Sequence, residues 1–219
     1  MFPLNGEFGT KEITNRSAQG IPVGVRVAPG PDNTANGSYE FLGNSSSYIE
    51  FPNSEGGALD VRHSMTMLCW LHYDGRDGPI FNYGTSVGKG VVLGVSNGKL
   101  IAHFRKRDYS IIQRLKRKTL AGGWKFVGAS YDNVTGIAKL WVDGYKVQTK
   151  DVKAGLELGT QYSIRMGVRT GEEMNFKGRI AMMQVYNVAL TQEQIKTILE
   201  KTSRPGKNAS RLRVLLLTI

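Results

Sequence analysis

Short apolar, β-prone runs separated by turn residues recur along this chain, the pattern of strands whose successive side chains point to opposite faces of a sheet. The pattern is clearest across residues 123–147. Trp124, Phe126, Val127 and Tyr131 belong to one β-prone run, and residues 137–142 form a second. Between them, Asp132-Asn133-Val134-Thr135-Gly136 has the composition of a short hairpin loop. Asp143-Gly144 then leads into a third run, residues 145–149. That dipeptide suits a tight type I′ turn, whose two central positions both need positive φ. The pattern predicts a three-stranded antiparallel meander with Trp124 and Trp141 as its largest apolar side chains.

The same grammar extends in both directions. Residues 65–73 are a long apolar run in which Met65, Met67, Cys69 and Leu71 share one face and Thr66, Leu68, Trp70 and His72 the other. Both faces are largely apolar, which places this strand in the centre of a sheet, covered on both sides. Residues 178–188 read the same way. Shorter strands are expected at 2–4, 21–27, 39–42, 48–51, 80–83, 91–95, 100–104, 109–115 and 162–168, with a tight hairpin at Asn97-Gly98. One helix is predicted, over 192–200, with Thr191 as N-cap, Gln194 completing a capping box, and Ile195, Ile198 and Leu199 as its apolar stripe. No polar linker interrupts the strands, so the 219 residues read as one domain over 1–203 and a tail over 204–219. Met1-Phe2-Pro3 enters the opening strand without a leader pattern, as expected of a mature form or of a domain cut from a longer protein.

Several ordered segments resemble the laminin G-like, or concanavalin A-like, jelly-roll family. The central one is Trp124, Phe126-Val127 and Ala129-Ser130-Tyr131-Asp132-Asn133, followed by Leu140-Trp141-Val142-Asp143-Gly144. Before it stand Phe2-Pro3-Leu4-Asn5-Gly6, Tyr39-Glu40-Phe41-Leu42-Gly43, Ser47-Tyr48-Ile49-Glu50, the run at 64–71, and Gly78-Pro79-Ile80-Phe81. After it come Phe176-Lys177-Gly178-Arg179-Ile180-Ala181, Gln184-Val185-Tyr186-Asn187 and Ala189-Leu190-Thr191. The resemblance spans residues 2–199 and implies an all-β, two-sheet antiparallel jelly-roll sandwich with one short C-terminal helix. It also implies an extracellular setting, secreted or as the ectodomain of a larger protein.

Charge sharpens this picture. The formal net charge is +11, which favours polyanionic partners. The most basic stretch is Arg105-Lys106-Arg107 followed by Arg114, Lys116, Arg117 and Lys118, on two strands expected to pair as a hairpin. Arginine forks match sulfate and carboxylate groups as they match phosphate. These seven residues are the expected contact set for a polyanion, and the family resemblance points to a sulfated glycosaminoglycan or other acidic glycan, with an extracellular protein as the other class of partner. Nucleic acid fits poorly, since only Tyr109 interleaves these cations and no recognition motif is present. Five N-x-Ser/Thr acceptor patterns begin at Asn15, Asn36, Asn44, Asn133 and Asn208 and point toward the secretory pathway. The only late apolar cluster, 214–217, is too short to span a bilayer.

Catalytic groups are scarce. No strand carries carboxylates on alternate positions, as a glycosidase groove requires, and Glu172-Glu173 are adjacent. His63, His72 and His103 have no metal-ligand spacing, no serine sits in a nucleophile elbow, and the one cysteine, Cys69, lies in an apolar strand. The expectation is therefore a non-enzymatic binding module without a cofactor. The family resemblance implies a rim Ca²⁺ site in many members. The place of its usual first carboxylate holds Lys89-Gly90 here; Asp74, Asp77, Asp132, Asp143 and Asn175 read as turn residues with local backbone bonds, and Asp74 or Asp77 are the candidate ligands should an ion bind. A calcium-dependent lectin for neutral sugars and a purely structural domain of a matrix or receptor protein stand as the alternatives.

Overall fold

The computed structural model describes residues 1–84, 89–108, 110, 112–120, 122–169 and 174–203, with the side chains of 112, 113 and 117–119 excepted. In chain order the strands are β1 (Ile21–Val23), β2 (Arg26–Ala28), β3 (Ser38–Leu42), β4 (Tyr48–Phe51), β5 (Met65–Arg76), β6 (Gly78–Gly84) and β7 (Lys89–Ser96). They continue as β8 (Lys99–Arg105), β9 (Ile112–Thr119), β10 (Trp124–Tyr131), β11 (Ile137–Val142), β12 (Tyr145–Asp151), β13 (Ile164–Met166) and β14 (Lys177–Tyr186), and the helix α1 (Gln192–Thr202) follows. They form two seven-stranded antiparallel sheets, ordered β1-β4-β13-β6-β7-β8-β9 and β12-β11-β10-β5-β14-β3-β2. The chain is an all-β jelly-roll sandwich.

The predicted meander is β10, β11 and β12, and β5 lies at the middle of its sheet between β10 and β14. Its two faces have the two environments that the alternation requires. Met65, Met67, Cys69 and Leu71 join the core between the sheets, whereas Leu68 and Trp70 belong to a second apolar cluster on the far side. Helix α1 covers that cluster with Ile195, Ile198 and Leu199, so the centre of this sheet is buried on both faces. The capping box of Thr191 and Gln194 forms as predicted, and the helix runs to Thr202, whose Oγ1 accepts a 3.1 Å hydrogen bond from the Trp70 indole N–H. Large buried side chains with polar tips are satisfied in the same way. Tyr83 donates to the Leu59 carbonyl at 3.0 Å and Tyr131 to the Lys153 carbonyl at 2.8 Å.

The N-terminal quarter departs from the pattern. Residues 21–27 form two strands in different sheets, divided at Gly24, which adopts φ +56°. A Cβ there would stand 2.0 Å from the Ser46 carbonyl oxygen, so only glycine allows the chain to cross between sheets at this point. The opening residues are not a full strand. Phe2 makes a single bridge to Met183, where β14 shifts register between Ala181 and Gln184 and Met182 takes φ +53°. The bulge turns backbone groups of β14 toward the opening segment, and Met182 N–H donates to Pro3 at 2.9 Å. The strand expected at 109–115 is shifted to β9 (Ile112–Thr119).

The two rims of the sandwich differ. On one, edge strands β9 and β12 are joined: Lys116 N–H donates to Gln148 Oε1 at 2.8 Å and Lys150 Nζ to the Arg114 carbonyl at 3.3 Å. On the other, β1 and β2 are the outer strands of their sheets.

Candidate functional site, a basic groove across strands seven to nine

Strands β7, β8 and β9 are consecutive neighbours in the sheet opposite the one on which α1 packs. Alternation positions its residues. Leu100, Ala102, Phe104 and Leu115 fill the core, so Ile101, His103, Arg105, Arg114 and Lys116 take the other side of β8 and β9. Register aligns Val92, His103 and Arg114 in one cross-strand row and Gly94, Ile101 and Lys116 in the next. Val92 and Ile101 are nearly buried, Arg114 and Lys116 are exposed, and Pro79, Arg169 and Met174 complete the walls. The result is an open groove with an apolar floor and cations along its margin. The Asn97-Gly98 turn that joins β7 to β8 is held from below by Asp77, which accepts from both of its backbone N–H groups and from the Tyr73 hydroxyl at 2.8 Å.

The seven expected contact residues do not gather into one cluster. Antiparallel pairing sets Arg105 opposite Ile112 and Leu100 opposite Arg117, so the second basic run travels away from the first. Arg117 lies five residues along the ladder from Arg105, about 17 Å at the usual strand rise. Arg114, opposite His103, is the nearest cross-strand neighbour of the first run. The side chains of Arg117 and Lys118 fall outside the described residues.

The tip of the β8–β9 hairpin is drawn inward. Lys106 bridges Leu158, Arg107 N–H donates to the Glu157 carbonyl at 2.7 Å, and Gly159 N–H donates to the Arg105 carbonyl at 3.0 Å. These bonds point Arg107 at two carboxylates. Its Nη1 and Nη2 meet Asp60 Oδ1 and Oδ2 at 2.9 and 2.8 Å, and Nη2 also reaches Glu55 Oε1 at 3.1 Å. The Arg107 side chain is only 12% exposed and that of Asp60 0%. Burial alone would raise the Asp60 pKa, but the Arg107 contact and hydrogen bonds from Gly56 N–H and Thr160 Oγ1 outweigh it and hold the carboxyl below its ordinary value. Arg107 is thus committed to an internal ion pair, and Lys106 Nζ sits 2.5 Å from Asp108 Oδ2. Arg114 and Lys116 line the groove with His103 and Arg169, and Arg105 takes the same face of β8 by alternation. Sequence spacing could not nominate those two, because Arg169 comes from a loop far along the chain and His103 stands alone in its strand.

The calcium candidates are engaged by protein groups. Asp77 has its oxygens occupied by three protein donors, and Asp74 Oδ1 lies 2.8 Å from His72 Nδ1. Asp132 accepts from Val134 N–H and Thr135 Oγ1, and Asp143 from Phe126 N–H and Lys125, the local bonding of turn residues. Among the described residues no three His, Cys, Asp or Glu side chains converge on a metal position.

Comparisons with known proteins agree with this architecture. A model of the concanavalin A-like lectin/glucanases superfamily matches residues 42–196, well over half of the chain. C-reactive protein of Oryctolagus cuniculus is 35% identical over 77 residues, and that of Mesocricetus auratus 32% over 77 residues. Each match covers 32% of this chain and 34% of the relative, so the chain aligns with about a third of these proteins. Among solved structures, a botulinum neurotoxin serotype D ligand binding domain in complex with N-acetylneuraminic acid superposes with a TM-score of 0.70 at 15% identity, over 90% of this chain and 49% of that one. The binding domain of Paraclostridial mosquitocidal protein 1 gives 0.67 at 15%, over 86% and 48%. A heptameric SAP-like pentraxin from Limulus polyphemus gives 0.59 at 18%, over 74% and 81%. At these identities the structural matches establish the fold, while the family match establishes descent: the chain belongs to the concanavalin A-like lectin/glucanases superfamily, in its laminin G-like form.

Proposed function

We propose that this chain is a non-enzymatic extracellular binding module that holds an acidic glycan in the groove across β7, β8 and β9. The observation that carries the reading is the pairing of an apolar floor, Val92 and Ile101, with the exposed cations Arg114 and Lys116 beside it. A sugar ring offers C–H surface to such a floor and, when sulfated or carboxylated, anions to such a margin. Arg105 stands diagonal to Arg114 across the ladder and extends the positive edge. The net charge of +11 strengthens the field around it. A domain of the same fold has been found with N-acetylneuraminic acid, a carboxylated sugar, which supports the ligand class.

The contact set is narrower than the basic sequence run. Arg114 and Lys116 carry the groove, with Arg105 on the same face of β8 and Arg117 and Lys118 farther along β9, while Arg107 and Lys106 serve the hairpin tip. The test replaces Arg114 and Lys116 together with serine. Both side chains are exposed, so the variant should fold normally, elute from heparin resin at clearly lower salt and lose retention on sialylated or sulfated oligosaccharides. Elution at the wild-type salt concentration from a folded double variant would remove the groove from the account.

A further inference from the structure

Four of the N-x-Ser/Thr patterns fall within the described residues, and the structure treats them unequally. Asn133 is turned inward. Its Nδ2 donates to the Leu156 carbonyl at 2.8 Å, its side chain also bonds the Tyr131 hydroxyl, and its backbone N–H donates to Ser64 Oγ at 2.9 Å. The nitrogen that a sugar would occupy is therefore pinning the loop after β10 to the segment that follows β12. Asn15, Asn36 and Asn44 are exposed. Asn44 uses only its Oδ1, accepting from Ser46 N–H at 3.0 Å, a bond that leaves Nδ2 uninvolved.

Asn36 and Asn44 flank a single rim, and Asn15 precedes it on the segment that enters β1, where the adjoining Arg16 and Ser17 line a hollow with Ala58 and Val188. β1 and β2 are the outer strands of the two sheets and follow one another in the chain. At one end of both lies the 43–47 loop, which packs against Gly24 and carries Asn44. At the other end lie the loop entering β1, with Asn15, and the loop leaving β2, with Asn36. The rim between them exposes Ile21 at 53%, Val27 at 43% and the adjoining Leu42 at 41%. β1 and β2 are three residues each and β1 carries Pro22, which blunts strand pairing, so what the rim offers a second copy is its apolar surface. The opposite rim is closed by the β9–β12 bonds and adjoins the groove.

We propose that Asn15, Asn36 and Asn44 carry N-linked glycans, those on Asn36 and Asn44 covering the β1–β2 rim, and that Asn133 is a structural residue whose acceptor pattern stays unused. The transfer joins the asparagine Nδ2 to the anomeric carbon of an oligosaccharide and breaks that carbon's bond to a lipid pyrophosphate donor. The amide gives up one N–H proton and the lipid pyrophosphate leaves carrying it. The proposal shares with the preceding reading only the extracellular route, and it leaves the groove open because the glycans stand on the other rim.

The chain, fused behind a cleavable secretion leader, is expressed in a mammalian cell line. Its glycans are then released enzymatically in heavy-oxygen water, which marks each formerly glycosylated asparagine as a mass-shifted aspartate. The mark is expected at Asn15, Asn36 and Asn44 and absent at Asn133. A mark at Asn133, or none at the exposed three, overturns the assignment. A variant with Asn15→Gln, Asn36→Gln and Asn44→Gln tests the covering role. Changing the asparagines rather than the hydroxyl residues spares Ser38, which is buried and bonds the Ala28 and Pro29 carbonyls. By sedimentation the triple variant should form dimers and larger species while the glycosylated protein stays monomeric. Equal monodispersity of the two removes the covering role. Heparin elution of the same preparations separates the two readings, since full glycan occupancy with no heparin retention sinks the groove alone.

Discussion

Asp60 and Arg107 meet through two parallel N–H···O contacts where little water reaches them, which makes the pair worth more broken than made. Replacing Arg107 with serine strands a buried carboxylate that only Thr160 Oγ1 and Gly56 N–H still satisfy. The expected cost is about 3 kcal/mol by denaturant titration, with little change in heparin elution. The pair also sets an acid limit. Because folding lowers the Asp60 pKa below its ordinary 3.8, its contribution is complete above that value and is lost as pH falls through the lower folded one. Stability of the native chain should therefore drop below about pH 4 through this residue, and an Arg107→Ser variant should show a shallower drop. At Cys69, full burial raises the thiol pKa, so the residue should resist thiol reagents in the native state and react once denaturant unfolds the chain. Modification at the same rate in both states would contradict its burial.

At the level of elements, the helix is a lid on Trp70, Phe126 and Trp141 rather than a peripheral appendage. Its N-terminus depends on reciprocal bonds between Thr191 and Gln194, so Thr191→Ala should cost about 1 kcal/mol in thermal or chemical denaturation. How much was legible beforehand follows from which forces are local. The β10–β12 meander, the two faces of β5 and the capped helix rest on alternation, turn chemistry and capping, all written within a few residues. The split of 21–27 depends on a carbonyl of Ser46 pressing on Gly24, and the pairing of Phe2 with Met183 depends on a bulge in β14. Neither partner is near in sequence, so neither leaves a local signal. The basic hairpin failed to gather its charges for a related reason. Alternation could place Arg114 and Lys116 outward, but the register that carries Arg117 away from Arg105, and the Asp60 that captures Arg107, come from elsewhere in the fold.

For the whole molecule, the balance of charge predicts how binding responds to salt. An excess of 29 basic over 18 acidic side chains acts through a field that ions screen over about 10 Å at 0.1 M and about 3 Å at 1 M. Capture of an acidic oligosaccharide should weaken steadily across that range, whereas a salt-independent affinity would mean that apolar contacts alone hold the ligand. The helix lid gives the domain a front and a back. Amine coupling to a sensor surface through Lys116 would bury the front and silence the protein, while attachment through Lys196 or Lys201 of α1 would present every copy facing outward. An assay that ignores this orientation will mistake a blocked molecule for one that recognises nothing.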